Sequence, residues 1–586
     1  MRAYTSKIYA LGARLRLKDA IRLGLEVLDH LGERFPPAPT TPGIGLVRVV
    51  TNLYDVKKRI LGTKSDDFIM NLPDISNQNK LSSMGILNLL IAYSYLGRPD
   101  LFPFIALRMV KLSLKYGLSA ISSMGFCCYA LLLNAFGDFD GGSRFGKLSL
   151  RLLERYDSVK VEWTPRVQTI YYGLIAHWKL PTQVTFRPLW EAHQIGVSIG
   201  DHEFATVALF QYCLNASTAG ISLLQQEPIL RTAITKMKAY KQQVWTELTL
   251  LIHEATLALM GKMDDPIVRD GALMNLDRKI IEADNNSKRN KKYYNDENNN
   301  NIYYHHHYYD NHSKLTEVMN TANLDFRSYE CTGSCYRMII AYLMGDLDLA
   351  LRMAIKSENS LDLIPCSPII RLQAFYDGLT AFAAAAAVTR KGMNSNILNY
   401  PTGNNATLSD QIKRSKRKKW LIRRGRKRLQ MLQNFSKHCP QNCLPQVLLL
   451  QAELAALSSN KLGKAMSKYA LSEGLAKEEG YLDVQALACE HAARLLLLSS
   501  GKSTTIIENR RSSTSSLSSW TTTTTIDTKY SFFFKRPLGS NSGTETRTIE
   551  NVAKIKTLME RSIELYKDWG VVWKADQVEE VLLSIG

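Results

Sequence analysis

Through most of the chain apolar residues recur every three to four positions, as in DAIRLGLEVLDHLGERF, LFPFIALRMVKLSLKYG and LPQVLLLQAELAALSSN. That spacing places them on one face of an α-helix. Convincing apolar and polar alternation of the strand type is absent, so the pattern predicts an all-α chain with helices of roughly 12 to 20 residues joined by short turns. Three stretches break the rhythm: 285–313, which contains YNDENNNNIYYHHHYYDNH; 394–410, with NSNILNYPTGNNATLSD; and 501–546, with STTIIENRRSSTSSLSSWTTTTT. Each is rich in Asn, Ser or Thr and lacks periodic apolar residues, which predicts disordered polar insertions. They leave helical blocks at 1–284, 314–393 and 411–500, and a C-terminal hairpin at 547–586.

A repeat lies beneath the helical pattern. Gly137 is followed five residues later by Gly142, Gly200 by Ala205, Gly345 by Ala350, and Asn460 by Ala465. A chain that turns back on itself needs a residue tolerating left-handed backbone, and then a residue no larger than alanine where the two helices meet. The expected architecture is a set of irregular, tetratricopeptide-like (TPR-like) antiparallel hairpins stacked as a solenoid. Trp178, Tyr376 and Trp569 read as large apolar anchors between hairpins.

Composition sharpens the picture in two places. The net charge is +20, yet eleven basic residues lie in KRSKRKKWLIRRGRKR, from Lys413 to Arg428, so more than half of the excess is local. A surface built for nucleic acid would spread its charge over a whole face. The segment, with Lys416, Arg417, Lys418, Lys419, Arg423, Arg424, Arg426, Lys427 and Arg428 at its heart, reads as the solvated start of a helix, as a nuclear import signal, or as a patch for RNA or anionic lipid. Its one aromatic, Trp420, gives little support to base stacking. The nine cysteines are scattered and odd in number and no signal peptide opens the chain, so a reduced, cytoplasmic protein is expected, or a nuclear one if the basic segment targets it. No run is long and uncharged enough for a membrane span.

Candidate chemistry is thin. SSGKSTT imitates the end of a phosphate loop at Gly501, Lys502 and Ser503, but Leu496 stands where the first glycine belongs and no strand precedes it. Cys331 with Cys335, and Cys439 with Cys443, have a spacing that zinc permits but that buried apolar cysteines share. His177 sits at the end of an apolar helix, where an interior or capping role is expected, and Asp264 and Asp265 belong to an acidic turn. His305, His306, His307 and His312 sit in the first insertion without fixed neighbours to orient them as ligands. The chain is therefore expected to be non-catalytic, with no cofactor and no metal.

The strings LGERFPPAP, LPDIS, VKLSLKYGLS, GGSRFGKLSLRLLERY, IAHWKLP, GVSIGDHEFA, FYDGLTAFAA, HCPQNCLPQVLLLQAELAAL and YKDWGVVWKADQVEEVL resemble, in order and spacing, the TPR-like helical region of large multidomain signalling ATPases, the hybrid sensor kinases. The resemblance runs from about residue 17 to the C-terminus. It implies a helical-repeat scaffold or regulatory interaction module, with a protein or peptide partner in the groove of the stack, and ATPase or kinase domains as partners within the system. The ATP-handling parts of such proteins lie outside this region, and this chain carries none of their motifs. Met1 falls at the middle of the family's helical array, so the resemblance also implies a detached piece, either a stand-alone descendant or a fragment of a longer ATP-binding protein, with a first hairpin that frays or pairs with another chain.

Overall fold

The computed structural model describes residues 1–35, 44–61, 65–262, 273, 326–358, 366–388, 408–499 and 545–585. Over these the chain is an all-α solenoid in which helices consecutive in sequence pack as antiparallel pairs. The first block comprises α1 (Arg2–Ala13), α2 (Leu17–His30), α3 (Ile44–Leu61), the short α4 (Asp66–Met70), α5 (Gln78–Gly97), α6 (Phe102–Tyr116), α7 (Ala120–Ala135), α8 (Phe139–Arg155), α9 (Lys160–Ile170), α10 (Phe186–Ser198), α11 (His202–Ser217), α12 (Leu223–Ala239) and α13 (Gln243–Leu259). The second comprises α14 (Phe326–Met344), α15 (Leu347–Lys356), α16 (Ile369–Val388), α17 (Leu408–Ser436), α18 (Pro440–Ala456), α19 (Leu462–Glu479), α20 (Leu482–Ser499), α21 (Glu545–Trp569) and α22 (Val572–Leu583). Among the described residues the only strand-like pairing is an isolated bridge between Asp74 and Leu118, and no helix is long and apolar enough to cross a membrane. Helices α17 and α21 begin just inside stretches expected to be loop. The histidine-rich block, Asp264, Asp265 and the Gly501–Lys502–Ser503 triplet lie outside the described residues.

One backbone bond recurs at the hairpin turns and explains the repeat. At Gly137 (φ +80°) the amide of Asp138 donates to the carbonyl of Leu133 at 2.8 Å, at Gly200 (φ +77°) Asp201 donates to Gly196 at 2.8 Å, and at Gly345 (φ +84°) Asp346 donates to Ala341 at 2.9 Å. Only a positive φ returns that amide to the carbonyl, and glycine adopts it without steric cost. Each aspartate then accepts an N–H from three residues on: Gly141 at 2.9 Å, Phe204 at 3.2 Å and Leu349 at 2.9 Å. Helix stop and N-cap thus occupy consecutive residues. The small residue falls one turn later, facing the preceding helix. A Cβ on Gly142 would lie 1.9 Å from Asn134 Oδ1, and one on Gly196 would lie 2.9 Å from Ala205 Cβ; Ala350 is fully buried.

The fourth hairpin departs from this expectation. Ala465 is fully buried, but Asn460 lies in a 3-10 turn, Ser459–Lys461, and is not among the residues with positive φ. Conversely, Leu15 (φ +58°) and Lys241 (φ +56°) take the left-handed conformation without glycine and make the same bond, Arg16 to Leu11 at 2.9 Å and Gln242 to Met237 at 3.0 Å.

Turns of the first block also reach across to the second. Leu482 N–H donates to Gly220 O (3.0 Å), Ser222 Oγ to Asp568 O (2.8 Å), Gln183 Nε2 to Glu479 O (3.0 Å) and Trp573 Nε1 to Leu259 O (2.7 Å). Buried apolar side chains accordingly fall into one core built largely from α1–α9, a larger one that α11–α13 share with α14–α22, and a small cluster of Leu351, Ala385 and Leu421. The three aromatic anchors occupy separate positions. Trp178 is stacked on Phe139 (4.9 Å) and edge-on to Phe435 (4.8 Å), which joins α8 to α17. Tyr376 packs against Tyr342 (5.9 Å) and Phe375, and Trp569 lies beside Tyr566.

The turn geometry separates two costs. No atom lies within 4 Å of a Cβ added to Gly137, so Gly137→Ala adds only backbone strain, about 1 kcal/mol. Gly142→Val must also displace the buried Asn134, and should cost about 2–4 kcal/mol. Denaturant unfolding of the two variants measures both; equal costs would mean that Gly142 is not a close-packing position.

Candidate functional site

The basic segment falls on α17, and the helix divides it. Asp377, in the middle of the apolar α16, is fully buried. Its Oδ1 accepts from Arg424 Nε at 2.6 Å, and its Oδ2 accepts from Arg424 Nη2 at 2.9 Å and Arg428 Nε at 2.6 Å. Arg424 further donates to Ala354 O (2.9 Å) and to Glu358 (3.1 Å). A buried carboxylate requires such partners, and residues four apart on a helix present them together. The expected single patch over Lys416–Arg428 is therefore corrected. Arg424 and Arg428 are internal, Arg417 and Lys418 are half-buried, and Lys416, Lys419, Arg423, Arg426 and Lys427 face outward. The close approach of α17 depends on Gly425, where a Cβ would fall 2.4 Å from the Phe382 ring.

A second feature was not singled out by sequence reasoning. Helices α10 and α12 flank α11 and leave an open cavity of about 550 Å³ whose walls include Phe186, Trp190, Leu209, Tyr212, Ile229 and Lys236. The volume lies in the range of ligand sites, and the lining is apolar with few polar groups. Phe186 and Trp190 stand one helical turn apart and both pack on Tyr212, at 5.5 and 6.0 Å. Lys236 lies over the Trp190 ring at 5.1 Å, a cation–π contact. Behind it His193 Nδ1 bonds to Ala205 O at 2.8 Å, and Nε2 meets Lys236 Nζ at 3.5 Å. Burial lowers the His193 pKa. The neutral ring thus donates from Nδ1 and accepts from the ammonium at Nε2, and it orients Lys236 at the groove wall. Arg187 on the rim is paired with Glu191 at 2.8 Å.

The cysteines and His177 lie in the interior. All nine cysteines are buried free thiols; Cys331 Sγ donates to Ser357 O, and burial raises the Cys443 pKa to about 12. Among the described residues no group of His, Cys, Asp or Glu is arranged to hold a metal. His177 is interior: its Nε2 donates to Cys366 O at 2.9 Å, and burial, aided by the nearby Arg371, pushes its pKa down to about 3. The neighbouring hub is Asn442. Its Nδ2 donates to His177 O (2.7 Å) and Leu180 O (2.8 Å), and its Oδ1 accepts from Thr182 N (2.9 Å) and Tyr481 OH (3.2 Å). Arg371, buried without a carboxylate partner among the described residues, donates to Thr182 Oγ1 at 3.0 Å. Asp483 is its acidic counterpart. It is buried at the α19–α20 turn beside Gly220, with Oδ1 unpartnered among the described residues, and burial raises its pKa to about 6.

Removing the shared carboxylate with Asp377→Ala leaves two guanidinium groups buried around a missing charge, and should destabilise the protein by about 3–5 kcal/mol; an unchanged denaturation midpoint would mean that water reaches the arginines. Asp483 has the opposite sign. Its folded-state pKa lies above its ordinary value, so the stability contributed by the neutral form is complete below about pH 4 and is lost as pH rises through about 6. Asp483→Asn should therefore be more stable than the parent at pH 8, by on the order of 1–3 kcal/mol, with the difference vanishing toward pH 4. Thermal unfolding across that range checks it, and a difference independent of pH would rule out the carboxyl as the cause.

Compared with protein-family models and with curated proteins, the sequence matches none.

Proposed function

We propose that the chain is a non-catalytic helical-repeat scaffold, the interaction or regulatory part of a signalling ATPase/kinase system. The observation that carries the interaction half is the open cavity between α10, α11 and α12, lined by Phe186, Trp190 and Tyr212 and edged by Lys236. Stacked hairpins bind extended or helical segments in such grooves, where aromatic anchors supply affinity and a few polar groups fix register. The signalling half rests on the resemblance of the strings from LGERFPPAP to YKDWGVVWKADQVEEVL to the helical region of hybrid sensor kinases. In this reading the partner lays apolar side chains against Trp190 and Tyr212 and offers an acceptor to Lys236, whose ammonium His193 holds toward the groove. The α11–α12 turn at the far end of these helices touches the second block at Gly220 and Ser222, so displacement of α12 by a partner would be felt at α19–α22.

A photo-crosslinking amino acid in place of Thr232, an exposed groove residue, tests this in the native cell. The expected adduct is a protein bearing an ATPase or kinase domain, and Trp190→Glu should abolish it. No adduct beyond that from a crosslinker at the exposed Leu471 would sink the groove reading, and an adduct with a protein of unrelated activity would sink the signalling one.

A further inference from the structure

The cations left outside the Asp377 clamp form a surface of their own. At 3.6 residues per turn Lys416, Lys419, Arg423, Arg426 and Lys427 fall within an arc of about 100°, opposite the buried Leu421, Arg424, Gly425, Arg428 and Leu429. They form a straight row about 16 Å long, with steps of about 4.5–6 Å between the ranks of charge. Carboxylates near α17 are committed to its inner side and flanks: Asp377 and Glu358 to Arg424 and Arg428, with Lys427 at 3.9 Å from Glu358, and Asp348 in the field of Arg352 and Arg417. Among the described residues no carboxylate is within ion-pair distance of Lys416, Lys419, Arg423 or Arg426. Two internal salt bridges thus fix the rotation of a helix on whose outer face Lys416, Lys419, Arg423 and Arg426 have no carboxylate partner among the described residues.

We infer that this face binds the phosphate backbone of a nucleic-acid duplex without sequence preference. The complementary surface must carry negative charge in a row of similar spacing, which a phosphodiester strand does. Lysine and arginine tips on one stripe meet phosphates and position the helix, but carry no base readout. A single strand is disfavoured because it is held largely by stacking, and the sole aromatic, Trp420, has the Arg424 guanidinium 5.8 Å from its ring. A bilayer surface is disfavoured because interfacial helices bury an apolar face in lipid, and the apolar face of α17 is spent on Phe382 and its neighbours.

The test uses the full chain and labelled RNA and DNA duplexes of about 20 base pairs, with binding followed by fluorescence anisotropy between about 50 and 200 mM salt. Binding should weaken with a log–log salt slope of about −3.5 to −4.5, as expected for four or five neutralised phosphates. The combined variant Lys416→Gln, Lys419→Gln, Arg423→Gln and Arg426→Gln should lose at least tenfold in affinity while keeping the parent's circular dichroism, since all four side chains are exposed. A charge-matched variant elsewhere, Lys7→Gln, Lys18→Gln, Lys58→Gln and Lys464→Gln, should bind as the parent does. Absence of duplex binding, equal losses in the two variants, or retention on phosphatidylserine vesicles but not on duplex would each overturn the proposal, the last in favour of a membrane surface.

Discussion

The carboxylate of Asp377 is the constraint on which the second half of the molecule turns. It sits in FYDGLTAFAAAAA, on a helix whose other positions are almost all buried, and there a lone charge is not tolerated. Two arginines from α17 satisfy it, and one of them extends to Ala354 O at the end of α15. Three helices from two hairpins thereby share one charge cluster. Such a cluster adds less to stability than its short distances suggest, because desolvation offsets the attraction. Its contribution is orientation. With Arg424 and Arg428 fixed inward, and Gly425 against Phe382, α17 has one allowed rotation, and Lys416, Lys419, Arg423, Arg426 and Lys427 point to solvent.

A similar economy appears at Asn442. Through one amide it holds the carbonyls of His177 and Leu180 and the Thr182 N–H, so IAHWKLP and HCPQNCLPQV meet although they are far apart in sequence. Other quoted strings meet in the same way. Ile75 and Leu118 join LPDIS to VKLSLKYGLS at 2.8 Å, and Arg155 and Tyr156 of GGSRFGKLSLRLLERY bond to Asp74 at 2.7 Å each. In LGERFPPAP, Glu33 pairs with Lys80 on α5 and Arg108 on α6. The distinctive words of this sequence are mostly its junctions. There polar side chains replace helix periodicity as the source of register, which makes their residue types less interchangeable than those of an apolar stripe.

This separates what was legible in the sequence from what was not. Helical periodicity and the glycine followed five residues later by a small residue are local, and the hairpins at Gly137, Gly200 and Gly345 follow from them. Leu15 and Lys241 adopt left-handed turns that residue type does not announce, because packing of the flanking helices can impose a conformation costing only about 1–2 kcal/mol. The division of the basic run was readable in principle: an aspartate inside an apolar helix demands a cation, and Arg424 and Arg428 have the spacing to supply it. Charge counting treated all eleven residues alike and missed this. The groove was beyond reach, since Trp190, Tyr212 and Lys236 lie on three helices and only packing brings them together.

The contacts between blocks also bear on how strain spreads through such a stack. A solenoid that touches only its chain neighbours bends like a spring, and strain introduced at one hairpin decays along the array. Here the turns of α11–α12 and α13 are hydrogen-bonded to those of α19–α20 and α21–α22, and the core is shared. A displacement of α12 is therefore opposed directly by the second block rather than dissipated through α13 to α18. At that contact lies Asp483, a buried carboxyl without a cation partner among the described residues, beside Gly220. The joint through which the groove reaches the second block is thus also a place where the protein carries uncompensated polarity, and it should yield before the apolar core on either side does.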